Sequence, residues 1–329
     1  MSATQASRPT ASLSIDLDNL WAYQRSKGDV RWRDYSSFLP RAVPRVHTLL
    51  DELAIKLTAF VVGADAERRE NCDALRSLID AGHEIGNHSY AHDSGFHALD
   101  ETALAEDFDR AETALTSLGA PVPNGFRGPS FRLSTTVLRC LLARGYRYDA
   151  STFPTSLGPL ARTWQRVLFK LDDEARAALR GQYGGFTDAR RPLTPYLWRV
   201  DSRELLEIPV TTMPFTRLPV HWTYVHFLAG MSPSLALAYV RSTIALCRAR
   251  GIAPSLLLHA TDFIGADDPE CPRFLPGMRH TQAAKTALLR RTLTMYQEAF
   301  ELLPLGVCAE RLLARGVSDI HSPHEAGLA

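Results

Sequence analysis

The stretch Asp80–His92, "DAGHEIGNHSYAH", passes from the end of a helix pattern to a short strand and then to polar side chains. Gly82 follows the apolar helix pattern, and glycine readily takes the left-handed conformation that ends a helix. Two further stretches have the same order, "LARGYRYD" at 142–149 and "RARGIAPSLLLH" at 248–259. Alternating helices and strands of this kind predict a parallel α/β sheet or barrel, with its functional site at the carboxyl ends of the strands.

The first predicted strand, "LSIDL" at 13–17, ends in the same way, with Asp16 and Asp18. Residues two apart on an extended chain point in the same direction, so we expect both carboxylates to face one cleft. Two carboxylates that lie close together repel each other unless a cation or a proton offsets their charge. A metal ion bound to one carboxylate and a proton accepted by the other would remove the conflict.

His88 and His92 are four residues apart. On a helical turn this spacing places both imidazoles on one face, where they can share one metal ion. A metal site with two histidines takes a carboxylate as its third ligand and leaves a position for water. From the residues alone, Asp16 and Asp18 are both candidates for that ligand.

Three more residues at predicted strand ends carry chemistry: Arg127 in "FRGPSF", Asp149 in "YRYDASTFP" and His259 in "SLLLHATDF". An arginine can hold a catalytic carboxylate ionised and oriented. A histidine at a barrel mouth is a natural proton donor. Metal-assisted hydrolysis of an amide needs an ion, a base for the water and an acid for the departing amine, and this chain offers a residue for each.

The bulk properties exclude several classes of protein. The 329 residues carry a formal net charge of +1, so no excess of charge recruits nucleic acid or an anionic membrane. No run approaches the ~18 apolar residues of a membrane span. The N-terminus lacks the pattern of a secretory signal, and we expect a cytoplasmic protein. Five scattered cysteines predict reduced, buried thiols, and the composition leaves a homo-oligomer open.

The chain is predicted to form one domain. We expect residues 1–11 to be disordered, residues 12–318 to form the domain, and residues 319–329 to be a flexible tail. Between about 155 and 200 the alternation of helix and strand stops, and the pattern favours a mostly helical insertion with a connection rich in glycine and proline.

The order of "SIDLDN", "GHEIGNHSYAH", "FRGPSF", "YDASTFP" and "LLLH" resembles the successive motifs of the polysaccharide deacetylase family, also known as NodB-homology or carbohydrate esterase family 4. The resemblance runs from about residue 12 to 315. It implies an α/β fold, a distorted (β/α)7 TIM-like barrel. It also implies a divalent metal, most often zinc, held by Asp18, His88 and His92.

The same resemblance implies that Asp16 is the general base, that Arg127 orients it and that His259 is the general acid. A further aspartate of the family tunes the acid histidine. Asp149 matches that role only loosely, and Asp262 is its rival.

The first motif departs from the family pattern of adjacent aspartates, because Leu17 separates Asp16 from Asp18. This form resembles the branch that includes intracellular deacetylases and relatives that act on non-sugar amides. On the substrate side we expect aromatic rings that stack on sugar faces and a backbone N–H for the oxyanion. The expected substrate-binding residues are Trp21, Pro129, Ser130 and Trp222.

The sequence therefore predicts a hydrolase of carbon–nitrogen bonds other than peptide bonds. The leading hypothesis is a metal-dependent removal of an N-acetyl or N-formyl group from an amino sugar or sugar precursor. One alternative is hydrolysis of a non-sugar linear or cyclic amide on the same scaffold. The other is a catalytically silent carbohydrate-binding protein, against which the presence of a residue for every role argues.

Overall fold

The computed structural model describes residues 8–156, 188–275 and 277–328. Within these ranges the strands are β1 (Thr10–Asp16), β2 (Thr58–Val61), β3 (Glu84–Asn87), β4 (Gly125–Phe126), β5 (Tyr148–Asp149), β6 (Tyr196–Val200), β7 (Arg203–Glu207), β8 (Ser255–His259), β9 (Glu301–Leu303) and β10 (Ile320–His321). The α-helices are α1 (Leu20–Ser26), α2 (Leu39–Glu52), α3 (Gly63–Ala66), α4 (Cys72–Asp80), α5 (Glu101–Ser117), α6 (Thr135–Arg144), α7 (Trp222–Met231), α8 (Pro233–Ala249), α9 (Gln282–Ala299) and α10 (Leu305–Arg315).

Seven parallel strands surround the core in the order β1, β2, β3, β4, β5, β7 and β8, and β8 pairs with β1. The gap between β7 and β8 is closed by the segment that follows β7. Its Ile208 N–H bonds to Asp149 O of β5, and its Thr211 N–H bonds to Ser255 O of β8 at 3.0 Å. The expected distorted (β/α)7 barrel is confirmed, with one irregular seam in place of a regular ladder.

The glycines that were predicted to end helices do so in the structure. Gly82, Gly145 and Gly251 have φ of 75°, 79° and 63°, the left-handed conformation that glycine takes most easily. Each glycine ends its helix just before a strand of the barrel. Ser134 caps α6 at the other end, because its side chain accepts a hydrogen bond from Val137 N.

The strands of the barrel are apolar because they are covered on both faces. All five residues of β8 are buried, and so are Leu13 and Ile15 of β1. The inner face of α2 covers this part of the sheet with Val43, Val46 and further residues at helical spacing. Because this packing fixes the register, Asp16 of β1 lies beside His259 of β8.

Both predicted ends of the domain need correction. β1 begins at Thr10 and continues through Ala11, so the last residues of the segment 1–11 belong to the sheet; residues 1–7 lie outside the described residues. β10 pairs with β6 in the tail predicted to be flexible. A tail whose backbone N–H and C=O groups join a ladder is ordered up to that strand.

The predicted helical insertion at about 155–200 falls largely on residues 157–187, outside the described residues. Its last part is strand rather than helix, because β6 pairs antiparallel with β7 on the outside of the barrel. The five cysteines are free, and Cys140, Cys247 and Cys308 are buried. In the described part of the chain, no helix is both long enough and apolar enough to cross a membrane.

Candidate active site

Asp18, His88 and His92 converge at the carboxyl ends of β1 and β3. Asp18 Oδ1 lies 3.2 Å from His88 Nε2 and 3.0 Å from His92 Nε2. The three candidate ligand atoms lie within 4.8 Å of one another. Among the described residues no other group of three or more His, Cys, Asp or Glu side chains meets this criterion.

The two histidines meet for a different reason than the spacing suggested. Residues 88–92 form a loop rather than a helical turn, with positive φ at Ser89 (62°) and His92 (45°). Asp107 of α5 accepts hydrogen bonds from the backbone N–H groups of Tyr90 and Ala91, which holds the loop in this shape. The prediction that the imidazoles lie close together is confirmed, but the helical reason for it is wrong.

The donor set fits a divalent metal ion. Asp18 Oδ1 is buried and, among the described residues, meets no donor in hydrogen-bonding geometry, although two imidazole nitrogens lie close to it. Burial favours the neutral carboxyl, yet His92 and His88 outweigh burial and hold the pKa of Asp18 well below its usual value. A carboxylate oxygen and two imidazole nitrogens aimed at one point are the ligands that zinc and similar cations take.

The second nitrogen of His88 fixes which tautomer the ring adopts. His88 Nδ1 lies 2.6 Å from Arg127 O, a carbonyl that can only accept, so Nδ1 carries the proton and Nε2 faces the candidate metal position. Burial lowers the pKa of His88, but Asp16 and Asp18 outweigh it and raise the pKa above its usual value. The surroundings of this histidine are therefore strongly negative and favour a cation.

Asp16 is held by Arg127. Arg127 Nη1 donates to Asp16 Oδ1 at 2.6 Å and to Ser14 Oγ at 3.0 Å, and its Nε donates to Ala150 O. Both members of the pair are buried, with side chains 2% and 0% exposed. A buried carboxylate with this partner is fixed in orientation and keeps its second oxygen available.

His259 completes the constellation from β8. Its Nε2 lies 3.9 Å from Asp16 Oδ2 and 3.9 Å from Asp18 Oδ2. These distances exceed a hydrogen bond and leave the ring able to meet a third group between them. The structure thus brings together six of the predicted site residues, Asp16, Asp18, His88, His92, Arg127 and His259.

Asp149 lies apart from the acid histidine. Its Oδ1 accepts a hydrogen bond from Ser151 Oγ at 2.6 Å, and Ser151 Oγ in turn accepts from Gly128 N at 2.7 Å. Burial and the neighbouring Glu207 raise the pKa of Asp149 well above its usual value. Among the described residues its hydrogen-bond partners do not include His259, so Asp149 supports the turn after Arg127 rather than the acid.

Asp262, the rival of Asp149, does reach His259, but through the backbone. Its Oδ2 accepts a hydrogen bond from His259 N at 2.8 Å. The other oxygen lies 3.6 Å from His226 Nε2. Lys285, itself buried, donates to Thr261 O and so braces the same turn.

Two residues that the sequence analysis missed also reach the site. Tyr23 Oη lies 3.3 Å from Asp18 Oδ2, and burial followed by Asp18 raises the pKa of Tyr23 well above its usual value. The hydroxyl therefore stays protonated and donates. His221 packs against His259 with ring centroids 4.4 Å apart. Tyr23 lies in the helix that follows Asp18 and could have been suspected, whereas no local signal marks His221.

The expected substrate-binding tryptophans are core residues. Trp222 is fully buried, and its Nε1 donates to Thr292 Oγ1 at 3.2 Å. Trp21 is 4% exposed, and its Nε1 donates to Asp65 Oδ1 at 2.9 Å. Neither ring has a free face on which a sugar could stack, because neighbouring side chains cover both.

Pro129 and Ser130 form a one-turn 3-10 helix, Pro129–Phe131, directly after Arg127. Pro129 is buried and Ser130 is partly exposed with φ of 56°. A serine in this region is strained, and the hydrogen bond from Gly128 N to Ser151 Oγ helps to hold the turn. Phe131 N and Arg132 N donate to Gly128 O and Pro129 O, so among the described residues Ser130 N–H is the donor of this turn that remains available for an oxyanion.

Asp65, the partner of Trp21, gives this region a pH dependence. The buried carboxyl accepts hydrogen bonds from Asn19 and Trp21, yet burial raises its pKa from 3.8 to about 6. Between these values the folded protein binds more protons at this group than the unfolded chain does. The stability contributed by Asp65 is therefore present below about pH 4 and is lost as the pH rises through about 6.

We predict that Asp65→Asn removes this loss. Relative to wild type, the variant should gain roughly 3 kcal/mol in free energy of unfolding between about pH 4 and about pH 7. Urea unfolding of both proteins across this range measures the difference. Asp80→Asn, the same change at an exposed residue, is the control. A stability difference between Asp65→Asn and wild type that does not vary with pH would contradict the prediction.

Comparisons with known proteins bear on the sequence family and on the fold. Residues 32–148 match the sequence profile described as polysaccharide deacetylase. This stretch contains His88, His92 and Arg127, whereas Asp16, Asp18 and His259 lie outside it. The crystal structure of a Mycobacterium smegmatis protein assigned to the polysaccharide deacetylases superimposes with a TM-score of 0.63 at 21% identity, covering 96% of this chain and 95% of that one. This likeness confirms the fold.

Two relatives match part of the chain. A peptidoglycan deacetylase of Helicobacter pylori is 24% identical over 147 residues, which are 42% of this chain and 48% of that protein. A peptidoglycan deacetylase-like protein of Gibberella zeae is 32% identical over 146 residues, 42% of each chain. The matched stretch spans less than half the length of either relative.

Proposed function

We propose that the chain is a metal-dependent hydrolase of the polysaccharide deacetylase family and that it removes an N-acetyl group from an amino sugar. One observation carries the proposal. A buried carboxylate paired with arginine, Asp16, lies beside the Asp18–His88–His92 group and the imidazole of His259 at the same strand ends.

A divalent metal, with zinc the best match to one carboxylate and two imidazoles, would be held by Asp18, His88 and His92 and would polarise the amide carbonyl and acidify water. Asp16 takes the proton from the attacking water. Arg127 holds the Asp16 carboxylate in a fixed orientation through the hydrogen bond from Nη1 to Oδ1.

The remaining steps fall to His259 and to the turn after Arg127. His259 gives a proton to the departing amine nitrogen, since its Nε2 faces both aspartates without bonding to either. A backbone N–H near Ser130 donates to the oxyanion of the tetrahedral intermediate. Acetate and the free amine are the products.

Hydrolysis of a non-sugar amide is the second candidate function. It is favoured by the burial of Trp21 and Trp222, which removes the aromatic platforms expected for a sugar substrate. The metal ligands, the base and the acid are the same for both functions. Only the groups that contact the amine side of the substrate would differ.

Acetate release by the purified protein tests the proposed function. The substrates are chitin oligomers, peptidoglycan fragments, N-acetylated monosaccharides and simple acetamides. We expect acetate from at least one glycan, loss of activity with a chelator and recovery with zinc. If the zinc-loaded protein releases no acetate from any of them, the proposed function is wrong; release only from simple acetamides would establish the second candidate.

A further inference from the structure

His221 is a second imidazole at the carboxyl end of β8, and the proposed reaction gives it no role. Its backbone forms a parallel bridge with Leu257, two residues before His259. The two imidazole rings lie 4.4 Å apart between centroids and are tilted by 41°. His221 is 9% exposed and His259 is 8% exposed. The two rings are therefore in contact, and each keeps a small exposed fraction at the carboxyl ends of the strands.

The start of α7 fixes the tautomer of His221. Thr223 N donates to His221 Nδ1 at 3.1 Å, so Nδ1 is unprotonated and the neutral ring carries its proton on Nε2. Protonation of Nδ1 would break this bond and place a positive charge at the positive end of the helix. Burial, followed by the charge of His259, also holds the pKa of His221 well below its usual value. The ring stays neutral at physiological pH.

Within the described ranges the Nε2–H of His221 has no hydrogen-bond acceptor. A polar hydrogen whose orientation is fixed from the other side of the ring is preorganised to donate to a ligand. The ring neighbours of His221 are His259 and Tyr224, and the imidazoles of His88 and His92 are not among them. His221 therefore lies directly beside His259, the residue that protonates the amine in the proposed reaction.

We propose that His221 is a substrate-binding residue that donates a hydrogen bond from Nε2 to an oxygen on the amine side of the amide. This inference rests on the proposed function, because His259 marks the amine side only if it protonates the leaving nitrogen. The substrate class is an amide whose amine portion carries a hydroxyl or ether oxygen near the nitrogen, as 2-acetamido sugars do. An amide without such an oxygen cannot accept the hydrogen bond from His221 Nε2.

The test compares two substrates and three variants. N,N′,N″-triacetylchitotriose carries hydroxyl groups beside the amide, whereas trifluoroacetanilide has an activated acyl group and an amine side without oxygen. His221→Asn keeps a favourable cap for α7 but is too short to donate where Nε2 does. His221→Gln places an amide N–H at about the reach of Nε2. His47→Asn, on the outer helix α2, is the matched control.

We expect His221→Asn to lower kcat/KM for the trisaccharide about 10- to 100-fold and to change that for the anilide less than about threefold. His221→Gln should recover part of the loss, and His47→Asn should behave as wild type. Equal losses on both substrates would show that His221 only supports His259 and would overturn the proposal. An unchanged value for the trisaccharide would also overturn it. A wild-type enzyme that hydrolyses neither substrate contradicts the proposed function itself.

Discussion

Replacing Asp16 with asparagine is expected to lower kcat for acetate release about 10³-fold while the protein keeps its metal. General bases contribute about 10² to 10⁴ to turnover, and asparagine cannot accept the water's proton. The variant should fold, because the asparagine side chain would still offer an amide oxygen to Arg127 Nη1 where Asp16 Oδ1 now accepts. The loss should therefore fall on the chemical step rather than on the metal site.

Steady-state kinetics and metal analysis of the same preparation separate these possibilities. Asp201→Asn, a change of the same type at an exposed residue far along the chain, is the control and should retain wild-type kcat. Thermal unfolding verifies that both variants are folded. Normal turnover by Asp16→Asn would show that the base is another group and that the pair with Arg127 is structural.

Replacing His88 with alanine is expected to abolish stoichiometric metal binding and, with it, nearly all activity. His88 Nε2 is one of three converging ligand atoms, and its Nδ1 is anchored to Arg127 O, so its loss removes a ligand and its support together. Asp18 and His92 alone offer two ligands, too few for a stable catalytic site. We expect activity to fall by more than about 10³-fold.

Metal content after dialysis measures the effect directly. Wild type should retain close to one zinc per chain and His88→Ala close to none. Added zinc should raise the unfolding temperature of wild type, since a ligand that binds only the folded state stabilises it, but not that of the variant. His47→Ala on α2 is the control for loss of an imidazole. Full metal content in His88→Ala would place the site elsewhere in the protein.

The two variants also distinguish the roles of neighbouring residues. Asp16 and His88 lie close together, with 3.9 Å between Asp16 Oδ2 and His88 Nε2. If Asp16 were a ligand, its replacement would also lower the metal content. Loss of turnover alone in Asp16→Asn would identify Asp16 as the base. Loss of both metal and turnover in His88→Ala would identify His88 as a metal ligand.

The sequence by itself determined the alternation of helices and strands in the barrel and the chemistry at the strand ends, but not the strand β6 within the predicted helical insertion. Apolar runs and glycines such as Gly82 and Gly145 are local signals. They can be recognised in the sequence without knowledge of the tertiary structure. In a parallel barrel every strand ends at the same rim. The meeting of Asp16, Asp18 and His259 could therefore be predicted from their positions after apolar strands.

Only the tertiary structure decided which polar and aromatic residues face the cleft. Trp222 was expected at the cleft and is core, while His221, its neighbour in sequence, packs against His259. Asp149 ends a strand as predicted, but its partners are Ser151 and Glu207 rather than the acid histidine. These outcomes depend on contacts between segments far apart in the chain. Burial and packing set them, and no local pattern of residues encodes which face of a loop turns inward.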